Sequence, residues 1–197
     1  MHVLTQTSLM MAALISLSAC QSAPVATVPA PTPVPGVEAP ARTDFALTGK
    51  IGVTTPHQFG SAFFAWSQQD ERFAIDLSGA LGLGQTHIEG VPGRYTLTSS
   101  KTGVLSADSP EALLEQATGW VAPISQLRHW VQGQAAQADS PRTLDAQGRI
   151  SQITEQDWTA RLDYADAQSP LPHRLVMTQT SAGGTNRVVL SIQSRQP

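Results

Sequence analysis

A single cysteine, Cys20, is all the thiol that 197 residues contain. That excludes an intramolecular disulfide and any cysteine-based zinc cluster. Charge is scarce as well: Asp, Glu, Lys and Arg make up 14% of the chain, and none of them occurs before Glu38. A net charge of −3 and a pI of about 5.9 give no basic surface on which to expect nucleic acid. Catalytic signatures are missing too. There is no Gly-x-Ser-x-Gly elbow and no His-Glu-x-x-His, and the five histidines (2, 57, 87, 129 and 173) show no spacing that gathers metal ligands. The run Gly79-Ala-Leu-Gly-Leu-Gly84 follows a strand pattern, but no helical pattern opens after it, which argues against a dinucleotide loop. The sequence predicts no enzyme, no cofactor and no metal.

What is present begins with a processing signal. Leu9 to Leu17 form a short apolar run followed by Ser18-Ala19-Cys20. A helix needs roughly 20 apolar residues to span a bilayer, so this run fits the core of an export signal instead. Leu17-Ser18-Ala19-Cys20 matches a bacterial lipobox, in which the thiol takes a diacylglyceryl group and cleavage frees the cysteine's amine for a third chain. His2 is the sole candidate for positive charge ahead of it, where Lys or Arg is usual. Residues 1–19 are expected to be a lipoprotein signal peptide and Cys20 the acylated N-terminus. Gln21 favours the outer membrane, since an Asp in that place commonly retains bacterial lipoproteins in the inner one. From Ser22 to Arg42 prolines stand at 24, 29, 31, 33, 35 and 40. They hold the chain near polyproline II, so residues 20–43 read as an anchor and tether that reaches roughly 60 Å at about 3.1 Å per residue.

Residues 44–197 read as one strand-rich domain. Apolar side chains alternate through Phe45/Leu47/Ile51/Val53, Ala62/Phe64/Trp66, Phe73/Ile75/Leu77, Tyr95/Leu97, Trp158/Ala160/Leu162/Tyr164, Leu175/Met177 and Val188/Leu190/Ile192. Turn residues separate them, among them Pro92-Gly93, Asp145 to Gly148 and Gly183-Gly184. About eleven strands are expected, in an antiparallel meander. Between Ser109 and Gly133 the period changes to that of helices. Ser109 suits an N-cap, Pro110 the first turn and Gly119 a stop, and Ile124, Leu127 and Val131 recur at helical spacing. A curled sheet with two short helices over its open end encloses a cavity. Phe64, Trp66, Phe73, Ile75, Leu97, Trp120, Trp130, Trp158 and Met177 are the candidates for its lining, although ordinary core packing is the commoner role of each. Leu81 and Leu83 stand among glycines that permit sharp turns, and composition alone leaves open whether they protrude or fold inward.

The order of Cys20, Phe45-Ala-Leu-Thr-Gly-Lys-Ile-Gly-Val53, Ser61-Ala-Phe-Phe-Ala-Trp66, Asp76-Leu-Ser-Gly-Ala-Leu-Gly82, Asp108-Ser-Pro-Glu-Ala-Leu-Leu114, Gly119-Trp120, Leu127-Arg-His-Trp130, Gly148-Arg149, Trp158 and Leu171-Pro172 resembles the LolB family of outer-membrane lipoprotein receptors. The resemblance covers nearly all of residues 44–193. It implies an open, curved antiparallel half-barrel of about eleven strands with a short helical lid over a hydrophobic cavity. It also implies a function: accepting acylated lipoproteins from the periplasmic carrier LolA and inserting them into the inner leaflet of the outer membrane, as a monomer. By the same resemblance Leu81, with Leu83 beside it, takes the place of the leucine loop implicated in delivery to the bilayer. A soluble carrier of the LolA type would lack the lipobox. A structural or assembly lipoprotein with a packed β domain would keep Cys20 but need no acyl cavity.

Overall fold

The computed structural model describes residues 44–79 and 84–196. Cys20, Leu81 and Leu83 lie outside the described residues.

Six strands follow one another before the helices: β1 (Phe45–Thr54), β2 (Phe59–Gln69), β3 (Arg72–Gly79), β4 (Thr86–Val91), β5 (Arg94–Ser99) and β6 (Gly103–Ala107). Helices α1 (Pro110–Thr118) and α2 (Ile124–Trp130) come next. Five more strands complete the chain: β7 (Arg142–Leu144), β8 (Ile150–Glu155), β9 (Trp158–Asp163), β10 (Arg174–Ser181) and β11 (Gly184–Gln196). Each half is a meander of antiparallel hairpins, and β1 pairs with β11 to join the halves in the order β6-β5-β4-β3-β2-β1-β11-β10-β9-β8-β7. The sheet does not close, because β6 and β7 are its two edges. The fold is therefore the antiparallel meander of eleven strands that the alternation predicted, left open as a half-barrel as the family resemblance implied.

Period two sets which face is inside. Along β2, Ala62, Phe64, Trp66 and Gln68 are buried while Phe63, Ala65, Ser67 and Gln69 are exposed. The inward residues of all the long strands merge with Leu113, Ile124, Leu127 and Trp130 of the helices into one core. At the centre of β1 the alternation calls for a side chain that has no room. A Cβ on Gly49 would collide with the Ser191 carbonyl and lie 2.8 Å from the Phe64 ring, so a glycine sits under that ring. The β1–β11 register shifts beside it, between Thr48 and Gly49.

Local chemistry fixes α1. The Ser109 hydroxyl accepts from the Ala112 N–H at 3.1 Å, Pro110 opens the helix, and Gly119 ends it in the left-handed region at φ 78°. No side chain of its own caps α2; instead the Glu111 carboxylate of α1 accepts from the Ser125 N–H at 2.7 Å. The far end of α2 is pinned to the sheet. Buried Glu155 of β8 accepts from the Trp130 indole at 2.7 Å, the Ser140 hydroxyl at 2.6 Å and the Gln137 N–H at 3.0 Å. Arg195 of β11 donates to the carbonyls of Val131 and Pro172 at 2.7 and 2.6 Å, and its partial burial lowers its pKa. The helical segment is thus tied at its C-terminal end, while the link from Gly119 to Pro123 lies over the concave face.

Candidate functional site

Between that link and the sheet lies an apolar cavity of about 820 Å³, counting its open mouth. The sheet supplies Ile51, Val53, Ile75, Leu77, Ile88, Met177 and Val188 as one wall. The helices and their link supply Leu114, Thr118, Trp120, Ala122, Pro123, Ile124 and Leu127 as the other. Gln58, Phe59 and Gly60 form the lip at the end of the first hairpin.

Among the described residues, no charged one lines the cavity. The Thr118 hydroxyl is engaged with the Leu114 carbonyl at 2.7 Å, which leaves it no pull on a ligand. The Trp120 indole N–H is buried without a partner. Chemically the arrangement can do one thing well. It removes aliphatic surface from water at roughly 25 cal/mol per Å² with little directional demand. Among the described residues no cluster of three or more metal-ligating side chains exists.

Ile75, Trp120 and Met177, of the nine lining candidates, reach the cavity wall. Trp66 and Phe73 instead line a second cleft of about 440 Å³ with Tyr95, Glu71 and Arg128, separated from the first by Ile124, which borders both. There Phe73 stacks on Tyr95 with ring centroids 5.7 Å apart, and Trp66 meets Phe45 edge-on at 5.2 Å. Phe64, Leu97, Trp130 and Trp158 are packed in the core: Phe64 over Gly49, Trp130 on Glu155, and Leu97 and Trp158 fully enclosed.

Sequence reasoning did not single out Phe59 or Gln58. Phe59 is 88% exposed while bordering an apolar cavity, and nothing in the alternation marks it as different from a strand-end residue. The titratable groups with shifted pKa values lie elsewhere. His87, on the solvent face of β4, is held above the usual imidazole range by its hydrogen bond to Asp76 at 2.7 Å and by Glu89, against a smaller opposing effect of burial. Half-buried His129 is pushed down by burial and by Arg128.

Comparison with known proteins gives a consistent answer. The family model described as "Outer membrane lipoprotein LolB" matches residues 43–194. A protein of Bordetella petrii named outer-membrane lipoprotein LolB is 35% identical over 161 residues, covering 78% of each chain. Proteins of the same name from Stutzerimonas stutzeri and Pseudomonas fluorescens are 34% and 35% identical over 154 residues, covering 77% of this chain and 73% of theirs. Among solved structures, a LolA superfamily protein from Nitrosomonas europaea aligns with a TM-score of 0.49 at 12% identity, over 81% of this chain and 88% of that one.

Proposed function

The chain belongs to the LolB family of outer-membrane lipoproteins, and from that premise we propose that it is the receptor that takes acylated lipoproteins from the periplasmic carrier LolA and releases them into the inner leaflet of the outer membrane. In this reading residues 1–19 are removed, Cys20 carries the lipid anchor on the periplasmic face, and residues 20–43 tether the domain, which works as a monomer. The observation that carries the proposal is the charge-free cavity between the sheet and the helical link. Acyl chains in water lose roughly 0.8 kcal/mol per methylene, so a cargo needs such a wall wherever it leaves its carrier. A structural lipoprotein with a packed core has no use for one.

Transfer then runs down a gradient of affinity. The cavity offers dispersion and dryness but little polar fixation, so what it binds it also releases to hydrocarbon that offers the same. Leu81, in the loop between β3 and β4, is assigned to the release step.

The experiment is a two-stage transfer. Purified carrier–lipoprotein complex is mixed with the full lipidated receptor, and cargo is followed first onto the receptor by pull-down and then into liposomes by flotation. Movement onto the receptor is expected. Cargo that stays on its cognate carrier in the presence of folded receptor would overturn the proposal in favour of a structural lipoprotein. Leu81→Glu is expected to accumulate cargo on the receptor and to slow its appearance in liposomes. Wild-type delivery by this variant would remove Leu81 from the mechanism.

A further inference from the structure

The mouth of the cavity is built, and it is built around an exposed aromatic. Phe59 begins β2 opposite Thr54 of β1, so it stands at the very end of the sheet. Its ring is 88% exposed, yet it borders the cavity on one side and, on the other, an outer groove with Gly52, Ser61, Arg187 and Val189. The hairpin tip that presents it is held in place. The Thr55 N–H donates to the Gln58 carbonyl at 2.8 Å, and the Thr55 hydroxyl oxygen accepts from the N–H groups of Gln58 and His57 at 3.0 and 3.3 Å. Pro56 packs so close over Gly184, in the β10–β11 turn, that a Cβ there would lie 2.6 Å from its ring. A tip braced in this way displays Phe59 to its surroundings.

Strand register places other features at the same end. Strand β3 ends at Gly79 opposite Ala62, at the same end of the sheet as the β1–β2 tip. The β5–β6 and β10–β11 turns and the Gln156-Asp157 turn end there too. Charged residues of both signs stand at this end, among them Arg187, Lys101, Asp157 and the buried Glu155, with His57 at the tip. An exposed aromatic ring flanked by hydroxyls and amides gains by burying its apolar surface at the boundary between headgroups and acyl chains.

Resting on the receptor reading above, we propose that Phe59 and the β1–β2 tip are a membrane-contacting lip: they enter the phospholipid surface and extend the apolar wall of the cavity into the bilayer. Without such a lip a chain leaving the cavity crosses water before it reaches hydrocarbon. With it, the path from Ile51 and Val53 has the apolar surface of Phe59 beside it, next to Gln58 at the lip. The lip is a second contact, distinct from the one assigned to Leu81, and Phe59 borders both the cavity and the outer groove.

The test uses the full lipidated protein in vesicles of phosphatidylethanolamine and phosphatidylglycerol. With the Cys20 thiol consumed by its lipid, Phe59→Cys carries the sole free thiol and takes an environment-sensitive fluorophore. Brominated lipids are expected to quench it strongly, and to leave unquenched the same label at Phe63→Cys, exposed on the outer face of β2 away from the mouth. Equal quenching at both positions, or none at position 59, overturns the lip. In the delivery assay, Phe59→Glu is expected to slow handover to vesicles by about ten- to hundredfold beyond any change in acceptance, the factor that burial of one aromatic supplies. Phe59→Leu restores most of it, and Phe63→Glu delivers like wild type. Handover by Phe59→Glu in step with its acceptance also overturns the lip. Quenching requires no cargo, so failure there rejects the lip alone, whereas a wild-type protein that accepts no cargo rejects the receptor reading.

Discussion

His87 shows how one side chain on the solvent face of β4 makes the β3–β4 pairing sensitive to pH. Its Nδ1 lies 2.7 Å from the Asp76 carboxylate of β3, and Glu89 lies 3.7 Å from Nε2. Both acids favour the imidazolium, so the folded pKa is raised. A raised folded pKa means that the stabilisation is complete below the unfolded value of about 6.5 and fades as pH rises through the folded value. The pair is exposed, which keeps its contribution below about 1 kcal/mol. By NMR titration, His87 is expected to titrate above the usual imidazole range in the wild type. Asp76→Asn should bring it back down, leaving Glu89 as the remaining acid. A wild-type His87 that titrates at or below 6.5 would show that the hydrogen bond does not hold in solution. The bridge joins β3 to β4, so its protonation strengthens the pairing of these two strands.

At the scale of elements, glycines separate two kinds of constraint. Gly49, in the middle of β1, is held by space: a Cβ would strike the Ser191 carbonyl and crowd Phe64. Gly119, after α1, has nothing within 4 Å of a Cβ and is held only by its φ of 78°. Gly49→Ala is therefore expected to destabilise by about 1–3 kcal/mol, the range of an overpacked core. Gly119→Ala should be milder, about 1 kcal/mol of backbone strain. Urea unfolding of both variants checks the order, and equal midpoints would refute it. The same elements show what the sequence makes legible. Alternation exposes the inward face of each long strand, and Ser109, Pro110 and Gly119 mark α1 at both ends, because those signals are local. The turns at Asp70 and Gln156 were not legible, since both take positive φ without glycine, at 50° and 52°. The start of α2 at Ile124 was legible from its helical spacing, but its cap was not, since that comes from Glu111, fourteen residues before Ser125. Ile75 and Phe73 sit on one strand and one face, yet the first borders the cavity and the second an aromatic stack. That difference is set by where Ile124 and the helical link come down, which no strand pattern records. Phe59 escaped for a related reason: its meaning comes from the cavity beside it.

Across the whole molecule, an open half-barrel trades core packing for ligand capacity. A closed and filled sheet would bury Leu77 and Leu114 fully; here both are partly exposed on the cavity wall. The protein should therefore be stabilised by whatever fills that space. A ligand that binds only the folded state adds RT ln(1 + [L]/Kd), about 2.7 kcal/mol at a hundredfold excess over Kd. Leu114→Trp places a larger ring on the α1 side of the cavity and tests this directly. Differential scanning calorimetry with an acylated lipopeptide is expected to raise the wild-type Tm in a concentration-dependent way. The variant should keep a wild-type or higher Tm alone, because the ring buries apolar surface that the wild type leaves on the cavity wall, and should respond weakly to the lipopeptide. Acceptance of cargo from the carrier should fall in parallel. If the filled variant responded to lipopeptide as strongly as wild type, the acyl chains would have to bind elsewhere. The cleft that Arg128 shares with Trp66 and Phe73 would then be the next place to look, since Ile124 borders both it and the cavity.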